Sequence, residues 1–163
     1  MKTKRLVFDA LLTTVALTIF MLEAQVPVPV PVPGIKLGLA NIVTLYAVFA
    51  IGAADALGIL LCRVVLGAFF AGQLMTLIYS LTGGILCWIV CCLLRNVMDD
   101  RQIWLCSILG AMAHNIGQMA AAVAVTQTPK LLVYLPVLMI SGIIAGTFTG
   151  FAARFLLERM KNI

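Results

Sequence analysis

The chain is a succession of apolar runs, each near the length of a membrane span, joined by short polar links. A spanning helix needs about 20 predominantly apolar residues. The 163 residues therefore hold about six such helices and no separate soluble domain. Composition agrees. Hydrophobic residues make up 63% and charged residues 10%, against about 45–50% and 25% in an ordinary soluble domain. A soluble fold of this size could not bury that much apolar surface, so the bilayer must serve as part of its solvent. A soluble enzyme, a disordered tail and a nucleic-acid-binding domain are excluded. The formal charge of +5 is no nucleic-acid footprint, because the basic residues stand at segment ends rather than along one face. The expected fold is an all-α integral membrane bundle of six transmembrane helices, with 1–163 a single transmembrane domain.

The first run, Leu6 to Leu22, follows Lys2, Lys4 and Arg5. Alone it could pass for a signal peptide, but the five apolar segments after it make it a first transmembrane helix. Alternating proline in Pro27-Val-Pro29-Val-Pro31-Val-Pro33 forbids helix and favours polyproline II at about 3.1 Å per residue, a stiff strap of about 20 Å across the membrane surface. A short second helix is expected from near Ile35 or Leu39 to Ile51-Gly52. The third runs from about Ala54 to Phe70 and the fourth from about Leu74 to Leu94. The polar stretch Arg95 to Gln102 is a loop. The fifth helix covers about Ile103 to Val125, the turn Thr126 to Lys130 follows, and the sixth covers about Leu131 to Leu157.

Six spans put both termini on one side. That side holds eight basic residues, Lys2, Lys4, Arg5, Arg95, Arg101, Arg154, Arg159 and Lys161, against Lys36 and Lys130 on the other. The excess places the termini in the cytoplasm.

Arg63 lies mid-segment in Leu60-Leu-Cys-Arg63-Val-Val-Leu. A charge there costs about 2.5–3.5 kcal/mol on insertion scales, so it should face the protein interior with a partner. It reads as an anchor for an anionic group. An internal ion pair, or snorkelling to the interface, would also satisfy it. In His114-Asn115-Ile-Gly117-Gln118, His114 and Gln118 share a helix face and Asn115 flanks it. At 1.5 Å per residue, His114 lies about 16 Å deep and Arg63 about 12 Å, so both sit near the midplane. Three hydrogen-bonding side chains on an apolar helix need partners, either a ligand or neighbouring helices. In Gly34-Ile-Lys36-Leu-Gly38-Leu-Ala-Asn41, Lys36 and Asn41 stand near the outer mouth, as a gate or ligand contact or as an ordinary turn and cap. Asp9 is expected to pair with Arg5, and Glu23, at the outer end, to be solvated. Gly142, Gly146 and Gly150 form a small-xxx-small ladder for helix packing.

Cys62, Cys87, Cys91, Cys92 and Cys106 all lie in apolar runs without a CxxC pair. They read as small packing residues rather than a disulfide framework or a soft-metal site. No catalytic residues, metal site or cofactor are expected. The chain has no GxxxxGK[ST] motif. The acidic pair Asp99-Asp100 has no second carboxylate cluster with which to hold Mg²⁺ on a diphosphate.

The run Pro33 to Leu45, together with Arg63-Val-Val-Leu-Gly67, Ser80-Leu-Thr-Gly83-Gly84 and Gly110-Ala-Met-Ala-His114-Asn115-Ile-Gly117-Gln118, resembles a bacterial membrane family. It is labelled "heptaprenyl diphosphate synthase component I", or the Gx transporter family. The resemblance covers nearly the whole chain. That family is in turn similar to the S components of energy-coupling-factor (ECF) transporters. These are six-helix subunits that capture vitamins and work with a transmembrane coupling protein and two cytoplasmic ATPases. Where S components dock through Ala-x-x-x-Ala in the first helix, this chain reads Ala10-Leu-Leu-Thr-Thr-Val-Ala16. The resemblance implies a subunit of the bacterial cell membrane that binds a small organic solute of anionic, vitamin, prenyl or quinone type. Arg63, His114, Asn115 and Gln118 would line its cavity, Asn41, Ser80 and Lys36 would stand toward the mouth, and the proline strap would be part of a lid. The alternative it implies is a non-catalytic accessory subunit in prenyl-chain or quinone metabolism. A purely structural partner in a larger complex is a third reading.

Overall fold

A computed structural model of the chain describes residues 2–26, 35–72 and 74–160. Helix α1 is Lys2–Glu23, α2 Asn41–Ala50, α3 Ala53–Ala71, α4 Leu74–Arg95, α5 Ile103–Thr126 and α6 Leu135–Met160. Short 3-10 turns at Asp100–Gln102 and Pro129–Tyr134 lead into α5 and α6. The expected all-helical bundle of six is therefore present. Five of its helical segments are long and apolar enough to cross a membrane, and α2 is a shorter apolar helix. The expected strap at Pro27 to Pro33 lies outside the described residues.

Local chemistry sets the ends. Gly72 closes α3 in the left-handed conformation at φ 65°, where a side chain would be strained. Asp99 and Gln102 form a reciprocal capping box before α5. The second helix departs most from expectation. Its first turn starts at Asn41, and residues 35–40 are unwound.

Small residues bring the last three helices together. A Cβ on Gly146 would stand 2.7 Å from Ile108 Cα, and one on Gly150 2.6 Å from Trp104 Cα. The glycine ladder of α6 thus packs directly on the α5 backbone, as the sequence indicates. Gly83 and Gly117 make the same kind of contact between α4 and α5. Large apolar side chains such as Phe69, Phe70, Ile144 and Phe148 point outward, as they do in a protein solvated by lipid. Two apolar layers fill the interior. One gathers Val48, Ile103, Cys106 and Leu157, and the other Ile35, Tyr79, Met119 and Leu138.

Arg5 does not pair with Asp9. Its guanidinium reaches across to Asp55 at the start of α3. Asp9 Oδ1 is buried without a hydrogen-bond partner among the described residues. The i,i+4 spacing of Arg5 and Asp9 made them neighbours in sequence, but the packing of α1 on α3 supplies Arg5 with a carboxylate on another helix.

Candidate functional site

The unwound residues 35–40 create the polar centre of the molecule. An unwound stretch inside a membrane protein must find partners for its peptide groups. Two side chains supply them. Gln118 Oε1 accepts from the Lys36 N–H, and Gln118 Nε2 donates to the Lys36 carbonyl, both at 2.9 Å. Glu23, at the end of α1, accepts from the backbone N–H of Gly38. Ala40 has no side chain with which to cap α2. The first N–H groups of α2 donate instead to the carbonyls of Gly38, Leu39 and Ala40, and the Glu23 carboxylate lies just before them on Gly38, on the side where negative charge meets the positive end of α2. Glu23 is 3% exposed, so its expected solvation is corrected. The Gly38 N–H replaces water.

Gly38 carries the sharpest constraint. Its φ is +83°, and a Cβ there would lie 2.8 Å from Asn41 Nδ2 and 2.9 Å from His114 Cδ2. The residue must be glycine both for its conformation and for the close approach of α2 and α5. Around this point gather most of the residues singled out from sequence. Arg63, 2% exposed, donates from a terminal guanidinium nitrogen to Asn41 Oδ1 at 3.3 Å. His114 lies within electrostatic reach of Arg63. Lys36 is buried rather than open at a mouth, and its Nζ sits 3.3 Å from the centre of the Phe20 ring. Arg63 Cζ is 5.9 Å from the same ring. Phe20 thus presents its π system to both cations. Gly67, one turn after Arg63, leaves the space the ring fills, since a Cβ there would stand 2.7 Å from Phe20 Cε1.

Asn115 is turned away from this group. Its Nδ2 donates to the Leu138 carbonyl at 2.6 Å, which fastens α5 to α6. Ser80 is buried on α4, one turn before Gly83. Phe20 and Glu23 belong to the cluster but were not singled out from sequence. The available signal was the stripe Ala16, Phe20, Glu23 at helical spacing on α1, of which all three are buried.

The cluster is rich in donors and positive charge. Lys36 Nζ, Asn41 Nδ2, Arg63 Nε and His114 Nδ1 are buried with no hydrogen-bond partner among the described residues. Lys36 and Arg63 face one carboxylate, Glu23, and neither forms an ion pair with it. Such an arrangement can take up an acceptor carrying negative charge. A cavity of about 10 Å³ lined by Gly38, Asn41, Cys87, Cys91, Ser107 and Thr149 among others has room for one water at most. Among the described residues, no three His, Cys, Asp or Glu side chains gather as a metal site.

The family model described as heptaprenyl diphosphate synthase component I matches residues 12–156. No curated protein and no solved structure matches the chain.

Proposed function

Since the chain belongs to the heptaprenyl diphosphate synthase component I family, we propose that it is a non-catalytic membrane component whose interior binds a small anionic solute. The observation that supports this reading is the set of unpartnered buried nitrogens on Lys36, Asn41 and Arg63, with the Cδ2–Nε2 edge of His114 against Gly38, beside a break in the helical backbone. Discontinuous helices that expose a helix N-terminus near the midplane are a recurring way to hold anions in membrane proteins. Arg63 and Lys36 would meet the negative charge, and Asn41 and His114 would add directional hydrogen bonds. Gln118 would hold the unwound segment in place. Access would require that segment to move, because Lys36, Arg63 and His114 are buried. The bacterial cell membrane, with both termini cytoplasmic, is the setting the charge bias supports. Energising by an ECF coupling protein and its ATPases would follow from the S-component resemblance.

The test is mass spectrometry of small molecules that co-purify with the protein in mild detergent, for wild type and Arg63→Leu, with Arg63→Lys as the conservative partner. An anionic compound present in wild type, lost in Arg63→Leu and partly retained in Arg63→Lys is the expected result. The same compound at the same occupancy in all three would overturn the role of Arg63.

The family description supports a second reading, an accessory subunit that accompanies a heptaprenyl diphosphate synthase. A stoichiometric soluble synthase that co-purifies with the chain and loses activity without it would favour this reading.

A further inference from the structure

We propose that Glu23 is a specificity-determining residue that limits the site to singly charged anions, such as a carboxylate, and excludes phosphates and diphosphates. The proposal rests on reading the polar cluster as an anion site and adds the charge of the anion.

The argument is a count of buried charge. With the three groups ionised, Lys36 and Arg63 bring two positive charges and Glu23 one negative charge, and all three are buried. His114 contributes hydrogen bonding without charge at neutral pH. The sum is one positive charge among side chains that are each no more than 8% exposed. Uncompensated charge in such a place is strongly disfavoured. A monoanion brings the sum to zero, whereas a dianion leaves a net negative charge beside the Glu23 carboxylate.

Glu23 does this without competing for the cations' hydrogen bonds. One of its oxygens accepts from the N–H of Gly38, and the ion pairs among the described residues are Arg5–Asp55 and Arg154–Glu158. Its charge is therefore felt by the site while Lys36 Nζ and Arg63 Nε stay unpartnered. It also offsets the positive end of α2, which would otherwise favour additional negative charge.

The experiment uses the full chain in detergent at pH 7. Thermal unfolding is followed by the fluorescence of Trp88 and Trp104. Formate, acetate and sulfate are each titrated at ionic strength held constant with gluconate. Arg63→Gln gives the baseline for nonspecific salt effects. Wild type should show saturable stabilisation above that baseline, with formate or acetate at least about tenfold more effective than sulfate. Glu23→Gln, which keeps an acceptor for Gly38, should invert the order in favour of sulfate. Lys36→Gln, with a sum of zero, should lose the anion effect, and the double variant Glu23→Gln/Lys36→Gln should recover the monoanion preference. An unchanged order in Glu23→Gln, or a sulfate preference in wild type, overturns the assignment to Glu23 and leaves the anion site standing. If Glu23→Gln does not fold, Lys36→Gln decides: a retained anion effect overturns the charge count. No saturable stabilisation of wild type by any of the three anions overturns the anion site itself.

Discussion

Gln118 holds the peptide unit of Lys36 from both sides, as an acceptor for its N–H and a donor to its carbonyl, each at 2.9 Å. One side-chain amide on α5 thus stands in for the neighbouring strand or helical turn that the unwound segment lacks. A primary amide is the side chain that can do this, since it offers a donor and an acceptor on one planar group.

Gln118→Leu should therefore destabilise the protein by about 2 kcal/mol or more, because two buried backbone groups lose their partners. Gln118→Glu should be nearly as damaging, since a carboxylate offers no donor to the Lys36 carbonyl. Unfolding midpoints in mixed detergent would check both. Midpoints within error of wild type would mean that the segment finds other partners.

The glycines divide sharply. A Cβ on Gly150 would meet the α5 main chain at 2.6 Å, whereas one on Gly58 meets nothing within 4 Å. Gly150→Ala should cost about 1–3 kcal/mol through forced separation of α5 and α6. Gly58→Ala should be neutral or stabilising by up to about 1 kcal/mol through helix propensity. The same unfolding assay separates the two, and equal effects would contradict the packing described for α6.

Phe20 and Gly67 should behave as a unit. Phe20→Leu removes the ring that Lys36 and Arg63 share, a change of about 0.5–2 kcal/mol. Gly67→Ala drives a methyl into the same ring. Each should weaken anion-dependent stabilisation, and the double variant should lose less than the sum of the two, as coupled neighbours do. Strict additivity would show that Gly67 acts elsewhere.

The route of the chain predicts sidedness. In a background lacking the native cysteines, Met98→Cys in the α4–α5 link should be labelled only from the cytoplasmic side, and Thr128→Cys in the α5–α6 link only from outside. Both labelled from one face would mean that the span count is wrong.

The long helices were legible because membrane spans are written in runs of apolar residues. The glycine ladder was legible for a related reason, since a four-residue period of small residues implies close helix packing. The start of α2 was not. Its unwound approach is stabilised by Gln118, 82 residues away in sequence, and by Glu23, 15 residues before Gly38. Local propensity does not record such partners. For the same reason Glu23 looked like an end-of-helix carboxylate in water, and Arg5 was matched with Asp9 rather than with Asp55, 50 residues on. Arg63 and His114 were legible as interior groups because the cost of burying them is intrinsic to the side chains. Asn115 showed the limit of that reasoning, since its amide nitrogen is taken by the carbonyl of Leu138 while its Oδ1 is buried without a partner among the described residues.

The close contacts among α4, α5 and α6 leave Gly83, Gly117, Gly146 and Gly150 little freedom to change, because an added Cβ there collides with main chain. Phe20, Glu23 and Lys36 stand on the opposite footing. They come from α1 and the unwound segment, and they reach the rest of the bundle through side chains and a few hydrogen bonds. If the cluster is the anion site proposed above, its preference rests on side chains of a short N-terminal stretch set against that scaffold. Chimeras that exchange residues 1–40 between relatives are the units in which preference should travel.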